Sequence, residues 1–290
     1  MTTLIKPTSK KIILDTGIEQ HVLLWNESQD DKPWLALVHG FLDSAWSWEH
    51  VAPLLTSSFK VIAPDLRGHG DSSNIGLGGY YHFVDYIADL KSLLNKVTHA
   101  PVCMVGHSLG GVIASFYAGI YPKEIQSLVL LEGLGPSESS VPLPDRIVKW
   151  LDTWNTQSKR PNKTYASVSE AAKRLQKTDP LLSEDVAKRL AGKLTKPSNE
   201  HVVFKHDPLH MTRAPYPFLV DTAAQFWQRI EAPTLLVDGE KSRFKKEAHD
   251  TERRTSYFPN KSSKTVQNAG HWMQLHQPKA VADLILDHFQ

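Results

Sequence analysis

Residues Val102-Cys103-Met104-Val105-Gly106-His107-Ser108-Leu109-Gly110-Gly111 decide how this chain is read. A short apolar run enters Gly-x-Ser-x-Gly, and a helix-compatible run from Val112 to Tyr121 leaves it. That order is a buried strand, a sharp turn and a helix. Gly106 and Gly110 carry no Cβ, so strand and helix can approach closely around Ser108. Ser108 is thereby expected with its hydroxyl raised above the sheet edge, at the positive end of the following helix. Cys103, the single cysteine, lies inside the strand, excludes an intrachain disulfide and reads as a small core residue rather than a nucleophile.

Working outward, the N-terminal side opens with two β-rich runs, Lys11–Thr16 and Gln20–Trp25, folded back at Gly17. Trp34–Val38 is a compact apolar strand ending in His39-Gly40-Phe41, and Trp46–Leu55 reads as helical. Phe59–Ala63 is the next strand, leading into Pro64-Asp65-Leu66-Arg67-Gly68-His69-Gly70-Asp71-Ser72. Phe83, Ile87, Leu90, Leu94 and Val97 then mark one apolar helix face. Beyond the Ser108 helix, Ile125–Leu131 is another buried strand, ending at Glu132-Gly133. Alternating apolar strands and amphipathic helices imply an α/β fold whose mostly parallel sheet is covered on both faces.

Between Leu134 and Leu219 the rhythm breaks. Ile147, Trp150, Leu151 and Trp154 share one helical face, Ser167-x-x-Glu170 resembles a capping box, and Val186, Leu190 and Leu194 form a third stripe. This segment holds 14 Lys/Arg and 9 Asp/Glu, a net +5, whereas the rest of the chain is −3. The expected organisation is a core of residues 1–133 and 220–290 with a helical cap over 134–219. The strand–helix rhythm resumes with Val220–Ile230 as a helix, Thr234–Val237 as a strand, Glu247–Tyr257 as a helix, Ser263–Gln267 as the last strand and Pro278–Phe289 as the last helix.

The 33 basic and 31 acidic side chains leave a net charge of +2, which gives no argument for nucleic acid or for an anionic membrane. Met1–Lys11 is polar and lacks the apolar core of a secretory signal, and no apolar run approaches the roughly 20 residues that span a bilayer. The expected setting is cytoplasmic. No Gly-x-Gly-x-x-Gly follows a strand, and neither zinc-type Cys/His spacing nor a P-loop is present, so no cofactor or metal is expected. Nothing in the sequence specifies an oligomeric state.

Four segments together carry a resemblance: His39-Gly40, Asp65 to Ser72, Gly106-His107-Ser108-Leu109-Gly110, and Asn268-Ala269-Gly270-His271-Trp272. The chain resembles the α/β-hydrolase superfamily, and Phe204-Lys205-His206-Asp207-Pro208 near the end of the insert is similar to its serine-hydrolase-like branch. The resemblance implies an eight-stranded, mostly parallel sheet with a helical cap inserted after the sixth strand. It implies Ser108 as nucleophile and His271 as its base. It also implies an oxyanion hole from the backbone N–H groups of Phe41 and Leu109. His39, Asp65, Arg67 and Asp71 are expected to fix loop geometry, and His69, His99, His107, His206, His210 and His276 to be hydrogen-bonded structural residues.

The third member is a carboxylate to accept the His271 Nδ1–H. In most of the superfamily it follows the seventh strand, three residues after a glycine; here that glycine is Gly239 and the position holds Ser242. The other arrangement puts it at the end of the sixth strand, where this chain has Glu132. Asp238 and Glu240, near the end of the seventh strand, compete with it. Trp150, Trp154 and Trp272 are the candidate pocket aromatics between cap and core. The expected activity is hydrolysis of carboxylic esters of small or medium, largely apolar substrates. Carbon–carbon bond hydrolases, perhydrolases and a non-catalytic small-ligand receptor of the same fold are the alternatives. Haloalkane dehalogenases and epoxide hydrolases use an aspartate where this chain has Ser108.

Overall fold

A computed structural model describes residues 5–29, 31–76, 78–157, 160 and 162–289; Met1–Leu4 of the polar N-terminal stretch lie outside them. β1 (Thr8–Ile13) and β2 (Glu19–Trp25) form the opening hairpin. Then come β3 (Trp34–Val38), a 3₁₀ turn at Ala45–Trp48, α1 (Ala52–Leu55), β4 (Lys60–Pro64), α2 (Phe83–Val97), β5 (Val102–His107), α3 (Leu109–Ile120) and β6 (Ile125–Leu131). The single helix expected over 46–55 is thus two short pieces. Pro53 has no N–H for the bond that a continuous helix would require, so a helix restarts around it.

After β6 the chain leaves the sheet. It forms α4 (Leu143–Gln157), β7 (Thr164–Tyr165), α5 (Val168–Thr178), α6 (Glu184–Leu194), β8 (Thr195–Ser198) and β9 (His201–Phe204). It returns through α7 (Val220–Trp227), β10 (Thr234–Gly239), α8 (Ala248–Ser256), β11 (Lys261–Val266), α9 (Met273–His276) and α10 (Pro278–His288). The segment read as mainly helical also contains a small antiparallel sheet in the order β7-β9-β8. Its strands are two to four residues long and show no apolar alternation, so they leave no periodic signal.

The main sheet has eight strands in the order β1-β2-β4-β3-β5-β6-β10-β11. β1 and β4 both pair antiparallel to β2, and every other pairing is parallel. Alternate side chains feed two cores. Ala36, Val38 and Met104 pack with α2, α3 and α7 on one face; Leu35, Leu37, Cys103 and Val105 pack with α1 and α10 on the other. β5 is buried along its whole length, as a central strand covered on both sides must be. Burial pushes the Cys103 thiol up to about 12, which leaves it inert. Tyr165, Ala171, Leu175, Leu190 and Leu194 build a third, separate cluster within the 134–219 insert, joined by Leu275 from α9. No described helix is long and apolar enough to cross a membrane.

Candidate active site

Ser108 sits between β5 and α3 at φ 51°, ψ −116°, a strained conformation for a residue with a Cβ. Its N–H donates to the Leu131 carbonyl at 2.9 Å, and its own carbonyl accepts from Gly111 and Val112 at 3.0 and 3.1 Å. The two glycines are required by contact. A Cβ on Gly106 would lie 2.4 Å from the Gly110 oxygen, and one on Gly110 would lie 2.3 Å from the Val38 oxygen. A Cβ on Gly40 would meet His107 Nδ1 at 2.8 Å and Ser108 Cβ at 3.2 Å, so the backbone leading into Phe41 lies against the serine. Leu109 is the first residue of α3, so its N–H has no acceptor within the helix.

β6 delivers Glu132 and the β11–α9 connection delivers His271. His271 Nδ1 lies 2.5 Å from Glu132 Oε2. Glu132 holds φ 48°, and its N–H donates to the Val237 carbonyl at 2.9 Å, extending the β6–β10 pairing by one residue. Its Oε1 accepts the Gly239 N–H at 3.1 Å and its Oε2 accepts the Ser242 hydroxyl at 2.8 Å. Burial by itself would raise this carboxyl, but the hydrogen bonds from His271, Ser242 and Gly239 outweigh it and hold the group below the ordinary glutamate value. The partner of His271 Nδ1 is therefore Glu132, and neither strand-seven alternative takes that place. Glu240 Oε2 accepts the Asn268 N–H at 2.8 Å and braces the turn ahead of His271. Asp238 stands at the solvent-facing end of β10.

His107 is more than a structural histidine of the strand. Its Nε2 donates to the His271 carbonyl at 2.8 Å, and the two rings lie 4.7 Å apart. Burial and the neighbouring His271 push its pKa well down, so it is a neutral donor that ties the residue before Ser108 to the backbone of His271. Its place directly before the serine is the signal that could have marked it. Phe244 is a second residue the sequence did not single out: its ring lies 4.5 Å from the His271 ring.

The supporting loops behave as expected. His39 bonds the Gly40 carbonyl through Nδ1 at 2.7 Å and accepts the Leu66 N–H on Nε2 at 2.9 Å. Buried Asp65 accepts the Ala45 and Asp71 N–H groups and contacts His21 Nδ1 at 2.7 Å. Arg67 pairs with Asp89 through two contacts of 2.6 Å. His69 Nδ1 donates to the Arg67 carbonyl at 3.0 Å, a structural hydrogen bond of the kind expected, and the buried Nε2 of His69 and of His210 has no hydrogen-bond partner among the described residues. The two rings lie 4.2 Å apart with their planes tilted by 34°, and they meet Phe41 edge-on at 6.1 and 5.9 Å. Burial pushes His210 down to about 3, and His69 is lowered for the same reason, so both are neutral.

The candidate pocket aromatics lie along the seam between insert and core. Trp150 and Trp154 stack at 5.1 Å, Trp150 meets Tyr80 edge-on at 5.3 Å, and Trp154 packs on the α2–α3 core. Trp272 packs against the apolar cluster of the insert. A cavity of about 640 Å³ opens at the opposite, N-terminal end of the strands, lined by residues such as Trp34, Lys60, Ile125 and Pro233. Among the described residues, the group with metal-ligand spacing is His21, Asp65 and Asp71. Its atoms are already engaged: Ser9 Oγ lies 2.9 Å from His21 Nε2, and Lys205 pairs with Asp71 at 2.7 Å. It is a loop-to-insert tie, not a vacant chelate.

The chain is similar to a Serine hydrolase-like protein of Danio rerio, with 25% identity over 277 residues that cover 92% of this chain and 84% of that one. It is 28% identical to Epoxide hydrolase 4 of Mus musculus over 296 residues, or 94% of this chain and 77% of that protein. It superposes on a solved thioesterase domain from the curacin biosynthetic pathway with a TM-score of 0.84 at 26% identity, covering 97% of this chain and 99% of that one. The profile of the alpha/beta hydrolase fold matches residues 33–278, a span that takes in the Ser108 turn, Glu132 and His271. On that match, and on a sheet order and strand–turn–helix that agree with it, the protein belongs to the α/β-hydrolase fold family.

Proposed function

We propose that this protein is a serine hydrolase that cleaves carboxylic esters of small or medium, largely apolar substrates through an acyl-enzyme. The observation that carries the reading is the 2.5 Å contact between His271 Nδ1 and Glu132 Oε2, on a loop tied to the residue before Ser108. An ionised Glu132 accepts only, so the proton between them stays on Nδ1 and the lone pair of His271 is on Nε2. His271 takes the Ser108 proton as Oγ attacks the ester carbonyl carbon. The Leu109 and Phe41 N–H groups receive the oxyanion. Collapse breaks the bond to the alcohol, which leaves with the proton from His271. Water then adds to the acyl-serine with His271 as base, releasing the acid and restoring Ser108. The insert between β6 and α7 acts as a cap that limits acyl length.

The similarity to an epoxide hydrolase raises a second reading, and the residue at 108 weighs against it. A serine opening an epoxide would form an ether, which has no carbonyl for water to attack. The ester reading is tested with p-nitrophenyl acetate, butyrate and laurate and with a fluorophosphonate probe. Expected are faster turnover of the shorter esters, probe mass on the Ser108 peptide, and a loss of at least about a thousandfold in kcat for Ser108→Ala at unchanged Tm. Near-normal turnover by Ser108→Ala, or no label on Ser108, sinks the reading.

A further inference from the structure

The connection between β10 and α8 reaches the acid and the base at once. Gly239, which ends β10, gives its N–H to Glu132 Oε1 at 3.1 Å. Three residues on, Ser242 Oγ lies 2.8 Å from Glu132 Oε2, the same oxygen that holds His271 Nδ1 at 2.5 Å. The Phe244 N–H donates to Ser242 Oγ at 3.1 Å, and the Phe244 ring lies over the His271 imidazole at 4.5 Å and 53°.

The direction of each proton follows from the chemistry. A carboxylate offers no donor, so the Ser242 hydroxyl proton must point to Oε2. That leaves a lone pair of Ser242 Oγ for the Phe244 N–H. Ser242 is 8% exposed, so little water competes for its hydroxyl. Glutamate has three side-chain torsions, and here it leaves the backbone from the left-handed region. Without donors on the far side, Oε2 could rotate off His271. Ser242 supplies that donor from the position where an acid at 242 would itself compete for His271.

We propose that Ser242 is a positioning residue: its hydroxyl, oriented by the Phe244 N–H, holds Glu132 Oε2 on the His271 Nδ1–H. The inference rests on the Ser108–His271–Glu132 reading given above. The charged or titratable groups that face this pair are Asp238 at the end of β10, Lys246 ahead of α8, and His107 against His271, and none is changed by substitution at 242.

The test compares Ser242→Ala, Ser242→Thr and Glu132→Gln on one ester, with Tm recorded for each. Removing the hydroxyl takes a donor from the Glu132 carboxylate and raises its proton affinity, which favours the inactive, protonated form of the Glu132–His271 pair, so the acidic limb of kcat/KM moves to higher pH. Expected for Ser242→Ala are a fall of about tenfold or more in kcat, KM within about twofold, and that shift of the limb. Ser242→Thr, which keeps a hydroxyl, is expected within about threefold of the wild type. A Ser242→Ala enzyme with wild-type kcat or an unmoved limb, or a threonine variant as slow as alanine, overturns the inference. Glu132→Gln separates the two levels. If it is inactive while Ser242→Ala is normal, the inference alone fails; if it is fully active, the triad reading fails first.

Discussion

Asp43, two residues beyond Phe41, is a carboxyl out of reach of water. Its Oδ1 accepts the Ser44 N–H at 2.8 Å, and burial pushes its pKa up to about 7. In the unfolded chain the group titrates near an ordinary aspartate value, about 4. Between those values the unfolded carboxyl has lost its proton while the folded one keeps it. Its contribution therefore falls as pH rises from about 4 to about 7, by up to roughly 4 kcal/mol, and levels off above. Asp43→Asn removes the charge at nearly constant shape. Its Tm is expected to gain steadily on the wild type from pH 4.5 to 7.5; parallel Tm–pH curves would refute this. The burden on Asp43 was invisible in the sequence, because its burial depends on how the loop after β3 folds over it. The candidate acid was legible only as a short list. Glu132, Asp238 and Glu240 all stand at or near strand ends, and a 2.5 Å contact across 139 residues pairs Glu132 with His271. Ser242 read as a missing acid, since its bond to Glu132 joins residues 110 apart.

At the scale of elements, the turn around Ser108 was the most legible part of the chain. Its geometry follows from local sterics: two glycines, a buried strand before them and an apolar helix after. Gly106→Ala would press a methyl to within 2.4 Å of the Gly110 oxygen, a backbone atom that cannot swing aside. The expected loss is about 2–4 kcal/mol, read as a lower urea midpoint with an unchanged slope. A midpoint equal to that of the wild type would show that β5 and α3 are not in contact as described. The parallel strands were legible for a similar reason, because burial on both faces writes continuous apolar runs into β3, β5 and β6. Elements without such a pattern were missed or displaced. β11 reads Lys-Ser-Ser-Lys-Thr-Val and is exposed almost throughout, so it begins two residues and ends one residue earlier than expected. β8 reads Thr-Lys-Pro-Ser and was absorbed into a helical segment.

Over the whole molecule, the sequence shows a change of period and of charge between Leu134 and Leu219, but it does not show how that segment docks on the sheet. It is held by single long-range contacts: Tyr81 OH to Asp207 Oδ2 at 2.7 Å, Lys205 to Asp71, and Lys193 above the Trp46 ring at 3.6 Å. Each joins a basic or acidic residue of the insert to a partner more than a hundred residues away, and no local pattern announces such a pair. The same holds for the candidate site, which draws Ser108 from the end of β5, Glu132 from the end of the adjacent β6 and His271 from beyond β11, with β10 lying between β6 and β11. The most direct measurement is kcat for ester hydrolysis by Glu132→Gln and Asp238→Asn across pH 6–9, with Tm confirming that both fold. A glutamine at 132 leaves His271 free to carry its proton on the wrong nitrogen, a defect worth about 10⁴-fold in a serine triad. The expected result is a loss of several orders of magnitude for Glu132→Gln at every pH and less than about threefold for Asp238→Asn. The reverse ranking would place the acid on β10 and contradict the assembly described here.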